Sequence, residues 1–326
     1  MKSLEMLNKK NIIKVVIILL LYILGKIMLE QGIIPPHIES NIYIIGINII
    51  LAVSLNLING FTGQFSLGHA GFMALGAYAS AVVTSLYGKD FIFGILAAAV
   101  ITAIAGLIIG IPSLRLKGDY LAIATLGFAE IIKVLLENYE KVGGAAGMND
   151  IPFYTTWTWL YFVVVATIIL INNFIRSYQG RACIAIREDE IAAEAMGVNT
   201  TYYKVMAFVI GAAFAGIAGA LYANYMYYIK PSDFGFMKSI DILVMVVFGG
   251  IGSISGSVVG AIVLAVVSAL LQDAMEYRML IYAVILMIIM LYRPQGILGQ
   301  NGLKSIKKWI KKLLRKEETA DASANS

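Results

Sequence analysis

Residues 180–204 read GRACIAIREDEIAAEAMGVNTTYYK. This charged, helix-prone run lies between two long apolar segments, 157–175 and 205–227. A polar connection of about 25 residues is far longer than most loops, so it needs a reason to exist. Ala192, Ala193, Ala195 and Met196 supply a small apolar face of high helix propensity. Glu188, Asp189, Glu190 and Glu194 crowd toward the helix start, where the dipole favours negative charge. Gly197 is a natural stop. A short helix of this kind suits docking into a groove on another protein. Its bland alternative is a solvated loop helix with no partner.

Outside this run the chain is apolar. Of 326 residues, 60% are hydrophobic and 14% charged, against roughly half and a quarter in soluble domains. That balance excludes an ordinary soluble enzyme and predicts an all-α polytopic membrane protein. The net charge of +5 is concentrated at the termini and in two loops, a pattern of membrane orientation rather than nucleic-acid binding. The single cysteine, Cys183, permits no internal disulfide. Lys9, Lys10 and Lys14 precede the first apolar run without a small-residue cleavage site after it, so that run reads as a retained span.

A span needs about 20 apolar residues. Candidates are 12–29, 41–58, 69–87, 91–111, 119–137, 157–175, 205–227, 240–254, 256–272 and 278–292, the eighth being short and broken by Gly249, Gly250 and Gly252. The N-terminal lysines, then Arg115 and Lys117, then Arg176, Arg181 and Arg187, fall on one side if every segment crosses. The basic tail joins them when the count is even, so ten spans place both termini in the cytoplasm. Residues 1–11 are then a cytoplasmic N-terminus, and 12–299 the transmembrane domain. In 300–316, Leu303, Ile306, Trp309, Ile310, Leu313 and Leu314 oppose seven basic residues, the pattern of a helix lying on anionic lipid. Residues 317–326 read as a disordered tail.

Small residues recur at i+4: Gly211, Ala215, Gly219 and Ala223; Gly76, Ser80 and Thr84; Gly252, Gly256 and Gly260. In lipid such stripes let helix backbones approach closely. A loose resemblance between 57–81 and 247–269 has the form of a vestigial repeat.

Three places are candidates for contact with a transported solute. NLINGFTGQFSLGHAG, residues 56–71, sets Asn56, Asn59, Thr62, Gln64, Ser66 and His69 among four glycines. It is a poor continuous helix, and irregular backbone survives in lipid only where protein or a water-filled cavity covers it. The segment is either a broken helix near a translocation path or a plain turn between spans. Glu130, three residues before Lys133, lies within the fifth span, where a carboxylate costs roughly 3 kcal/mol. It faces a polar cavity or partner, or else marks the outer end of its span. Asp241 reads first as the start of the eighth helix. No Walker A sequence, no His/Cys metal cluster and no Ser/His/Asp arrangement occurs, so no catalytic, cofactor or metal residue is assigned.

Six segments together resemble permease subunits of the branched-chain amino acid ABC importers, the LivM-like family. They are SLNLINGFTGQFSLGHAGFMALGAYASA (54–81), KGDYLAIATLGFAEII (117–132), GRACIAIREDEIAAEAMGVN (180–199), FAGIAGALYA (214–223), VVFGGIGSISGSVVGA (246–261) and YRPQGILG (292–299). The resemblance implies a type II-importer-like permease bundle in a bacterial or archaeal cell membrane, with no enzymatic activity of its own. It implies a second homologous permease, two cytoplasmic ATP-binding subunits and an extracytoplasmic amino-acid-binding protein as partners, with membrane lipid around them and no nucleic acid. Residues 188–190 and 192–197 then stand where such permeases dock their ATPase, although the full EAA pattern is not present. Leucine, isoleucine or valine is the expected solute. The alternatives are urea or short amides through the same machinery, or a secondary ion-coupled transporter.

Overall fold

The structure is a computed structural model. It describes residues 2–113, 116, 118–270 and the isolated positions 284, 287, 291 and 296, with side chains from Val16 onward. The expected tenth span, 278–292, lies outside this range apart from three positions, and the segments 300–316 and 317–326 lie outside it entirely.

Eleven α-helices occur among the described residues, and no β-strand. They are α1 (Lys2–Glu30), α2 (Pro36–Asn56), α3 (His69–Ala81), α4 (Phe91–Ser113), α5 (Asp119–Glu137), α6 (Trp157–Arg176), α7 (Tyr178–Glu188), α8 (Glu190–Ala195), α9 (Thr200–Met226), α10 (Phe236–Gly249) and α11 (Ile254–Leu270). Five are long and apolar enough to cross a membrane when the π-helical turns that extend α2 and α3 are included: Pro36–Phe61, His69–Leu86, Phe91–Ser113, Trp157–Arg176 and Thr200–Met226. Helices α1 and α5 have 29 and 19 residues, α10 and α11 only 14 and 17. The chain is therefore an all-α, multi-pass membrane protein.

Helix α9 is the axis, packed against α2, α3 and α4. Its composition explains why. Gly219 lies on the backbone of Met73 and Ala77, Gly216 on Gly76 and Thr102, and Gly211 on Ile58 and the Ser54 carbonyl. A side chain at these positions would force the helices apart, so the small-residue stripe is the contact itself. Gly249, Gly256 and Gly260 do the same between α10 and α11. Large apolar residues point the other way: Leu96, Ile104, Ile108, Phe162 and Leu170 are exposed on α4 and α6, where lipid is the natural solvent.

Two boundaries differ from the sequence reading. Helix α10 starts at Phe236, so Asp241 lies in its second turn and does not open it. Helix α1 starts at Lys2, so the expected span 12–29 is part of a longer helix.

Candidate functional site

The chain between α2 and α3 does not run on as a helix. After Asn56 it loosens into a π-helical turn, Leu57–Phe61, and then passes through residues 62–68 without regular structure. His69 Nε2 lies 2.8 Å from Ser54 Oγ, which places the start of α3 back beside the body of α2. The break therefore turns into the bundle, and every polar group in it needs a partner.

Those partners are internal. Asn56, fully buried, accepts from the Gly252 N–H at 2.8 Å and donates to the Ser253 carbonyl at 3.0 Å and Ser257 Oγ at 2.7 Å. Asn59 brackets Ser66, accepting from its N–H and donating to its carbonyl. Thr62 donates to the Leu57 carbonyl at 2.7 Å, and Gln64 to the Lys204 carbonyl at 3.2 Å. Leu67 N–H donates to Thr125, and Ala70 N–H to Ser239. Thus α2, α5, α9, α10 and the α10–α11 turn all meet this break. His69 is 1% exposed. The Ser54 hydroxyl lies within reach of both the Leu51 carbonyl and ring Nε2, and Nδ1 has no hydrogen-bond partner among the described residues. The structure brings Asn56, Asn59, Thr62, Gln64, Ser66 and His69 together, all buried inside the chain's own fold.

Glu130 lies apart from this group. It pairs with Lys133 at 3.2 Å and accepts from the Phe236 N–H at 3.2 Å, capping the first turn of α10. A carboxylate at a helix N-terminus is electrostatically favourable. The Glu130–Lys133 pair remains partly exposed on the α5 surface.

The 180–204 segment folds into α7 and α8. Ser177 caps α7 by accepting from the Gly180 N–H. Ala182, Cys183 and Ile186 form the seated face of α7. Burial pushes the Cys183 thiol up to about 11, against a smaller lowering by a backbone hydrogen bond. Asp189 breaks the helix with extended backbone and caps α8, accepting from Ile191 and Ala192 N–H at 2.9 and 3.0 Å. Gly197, in left-handed backbone at φ +84°, ends it.

The acidic residues of α8 have different duties. Glu188 ends α7 and pairs with Arg187. Glu190 is tied to Lys204 Nζ at 2.6 Å, which anchors α8 to α9. Glu194 is exposed and engages no partner among the described residues. Ala193 is buried, whereas Ala192, Ala195, Met196 and Gly197 are exposed. Ile191 is 76% exposed and Met196 85%. Both are large apolar side chains left open on a charged surface segment.

Sequence reasoning missed two residues here. Ile191 was passed over between its acidic and alanine neighbours, although one large aliphatic side chain in a charged run is itself a signal. Arg187 was read only as orientation charge. Its spacing of four from Cys183 places it on the seated face of α7, and its Nη1 donates to the Gly60 carbonyl at 2.9 Å. A cleft of about 250 Å3 opens between residues 62–65 and the α7–α8 bend.

Comparison with known proteins agrees with these features. A family model described as the permease component of branched-chain amino acid transport systems matches residues 38–291. The high-affinity branched-chain amino acid transport permease LivM of Escherichia coli K12 is 36% identical over 318 residues, covering 87% of this chain and 74% of that protein. LivM of Salmonella typhimurium is 37% identical over 287 residues, covering 77% and 68%. The LivH permease of the same Salmonella strain is 26% identical over 286 residues, covering 79% and 92%. No solved structure matches the chain.

Proposed function

The chain belongs to the family of branched-chain amino acid transport permeases, and on that premise we propose that it forms half of the membrane path of an ATP-driven importer for leucine, isoleucine and valine. An extracytoplasmic binding protein delivers the solute, a second homologous permease completes the path, and two cytoplasmic ATP-binding subunits supply the energy. On this reading the bundle has ten crossings with both termini inside.

The observation that carries the reading is α8. It is a capped helix with Ile191, Glu194 and Met196 presented outward, joined to the bundle through α7 on one side and the Glu190–Lys204 pair on the other. A helix held at both ends and open on its outer face transmits displacement. Residues 188–197 are the surface an ATP-binding subunit grips. When that subunit closes on ATP, it biases a two-state bundle by binding one state better than the other.

The path itself needs polar but weakly binding walls, because the zwitterion is handed on rather than retained. The break at 56–71 supplies the hinge beside it. Glu130 and Lys133 belong on a face turned toward the path or the second permease, since an exposed ion pair is costly in hydrocarbon. A proton- or sodium-driven carrier requires an available ionisable group at depth. Among the described residues Glu130 is committed to Lys133 and the start of α10, and the His69 ring meets Ser54.

Reconstitution of the full complex in vesicles, with ion gradients collapsed and ATP supplied on the cytoplasmic face, tests the reading. Uptake of leucine should follow ATP. Uptake that ignores ATP and follows an imposed ion gradient overturns the proposal.

A further inference from the structure

We propose that Arg187 is a positioning residue of the transport cycle: its guanidinium fills a glycine-walled slot and ties the α7–α8 segment to the ends of α2 and α10 at once. The inference rests on the importer reading above but concerns how force travels, not what is carried.

The slot has three walls, each without a side chain. Gly60 supplies its carbonyl, the acceptor of the 2.9 Å bond from Arg187 Nη1. This carbonyl lies in the last turn beyond α2, where helix carbonyls lack onward partners. A cation there is favoured by the helix dipole, and a guanidinium bond to it is charge-assisted. Gly63, at φ +71°, lies along the arginine stem, where an added Cβ would come within 3.0 Å of Arg187 Cγ. Gly252, at φ +78° in the α10–α11 turn, closes the slot, where an added Cβ would lie 2.8 Å from Nη1 and 3.3 Å from the Gly60 carbonyl. The backbones of two separate segments, the α2–α3 break and the α10–α11 turn, therefore converge on one arginine side chain.

The slot is linked onward. Gly60 is packed on the Asn56 amide, with no room for a Cβ between it and Gly252 N. Asn56 in turn holds Gly252, Ser253 and Ser257. Three contacts, Arg187–Gly60, Gly60–Asn56 and Asn56–Ser257, therefore lead from Arg187 to α11. On its other side Arg187 pairs with Glu188, next to the Asp189 cap of α8. Displacement of α8 is transmitted to α9 through Glu190–Lys204 and to α2, α10 and α11 through Arg187. Lysine does not replace the fork, because it offers a point charge without the flat donor geometry.

The test uses the complete transporter with its ATP-binding and solute-binding subunits, comparing Arg187→Ala and Arg187→Lys with wild type. Assembly, ATP hydrolysis and uptake are measured together. Arg187→Ala should assemble and hydrolyse ATP, while solute carried per ATP falls roughly tenfold, a typical size for a lost coupling contact. Arg187→Lys should fall in between. If Arg187→Ala fails to assemble, Arg187→Lys decides. Unchanged solute per ATP in the assembled variants overturns the inference. So does a proportional loss of hydrolysis and uptake in both, the mark of a structural prop alone. Absence of ATP-driven uptake in wild type would instead count against the importer reading, before any variant is compared.

Discussion

Two interruptions of the helical bundle, residues 62–68 between α2 and α3 and residues 177–199 between α6 and α9, are built on opposite plans. The first carries no charged residue, and its polar side chains Thr62, Gln64 and Ser66 are buried and each makes a hydrogen bond, although Gln64 Oε1 finds no partner among the described residues. The second is charged, and most of α8 is exposed. The difference follows from the surroundings. The polar side chains of the first break are shut away and draw partners from their neighbours, while its Gly63 and Phe65 stay exposed at the cleft beside the α7–α8 bend. A break at the surface needs only its own caps and a few ties. On the proposed reading the first is a joint and the second a handle. Arg187 connects them.

The distinction is broken most severely by disturbing the joint. Asn56→Leu removes three hydrogen bonds and strands the Gly252 N–H, at a cost on the order of 3 kcal/mol. Thermal unfolding of the purified protein measures it. A shift no larger than that of a surface substitution would mean that the break is not a joint. At the handle, Glu194→Lys should leave that melting curve unchanged while uptake driven by ATP falls about tenfold. Glu190→Lys should lower both, because Glu190 also holds Lys204. Equal behaviour of the two variants would contradict the division of labour between them. Asp189→Ala removes only the α8 cap, worth about 1 kcal/mol. Faster amide exchange confined to residues 190–195 is the expected sign, with the rest of the bundle unaffected. Cys183 gives the smallest effect. Its thiol is pushed up to about 11, so the reactive thiolate is scarce at neutral pH and alkylation should stay slow until the pH approaches that value. Labelling at the rate of a free thiol would show that α7 is not seated on α9.

Much of the handle was legible in the sequence. The acidic run, the alanines and Gly197 are local signals, and the structure places α8 among them, with Asp189 as a cap that the sequence reading did not single out. The helix-rich membrane architecture was legible from composition, and the α9 stripe from small residues at i+4. The start of α10 was not. Its N-terminal cap comes from Glu130, 106 residues earlier in the chain, so Asp241 looked like the better start signal. The burial of His69 and Asn56 was equally hidden, because glycine, asparagine and serine mark turns and broken helices alike. Arg187 carried a periodic signal, but its use as a tie needs Gly60 and Gly252 beside it, and those contacts are long-range.

The most direct measurement places a single thiol on the handle with Ile191→Cys in a Cys183→Ala background. The thiol is then cross-linked in membranes that hold the assembled transporter. The account predicts reaction with impermeant reagents from the cytoplasmic side alone and a cross-link to the ATP-binding subunit. Reaction from outside intact cells, or no cross-link to any soluble subunit, would contradict it.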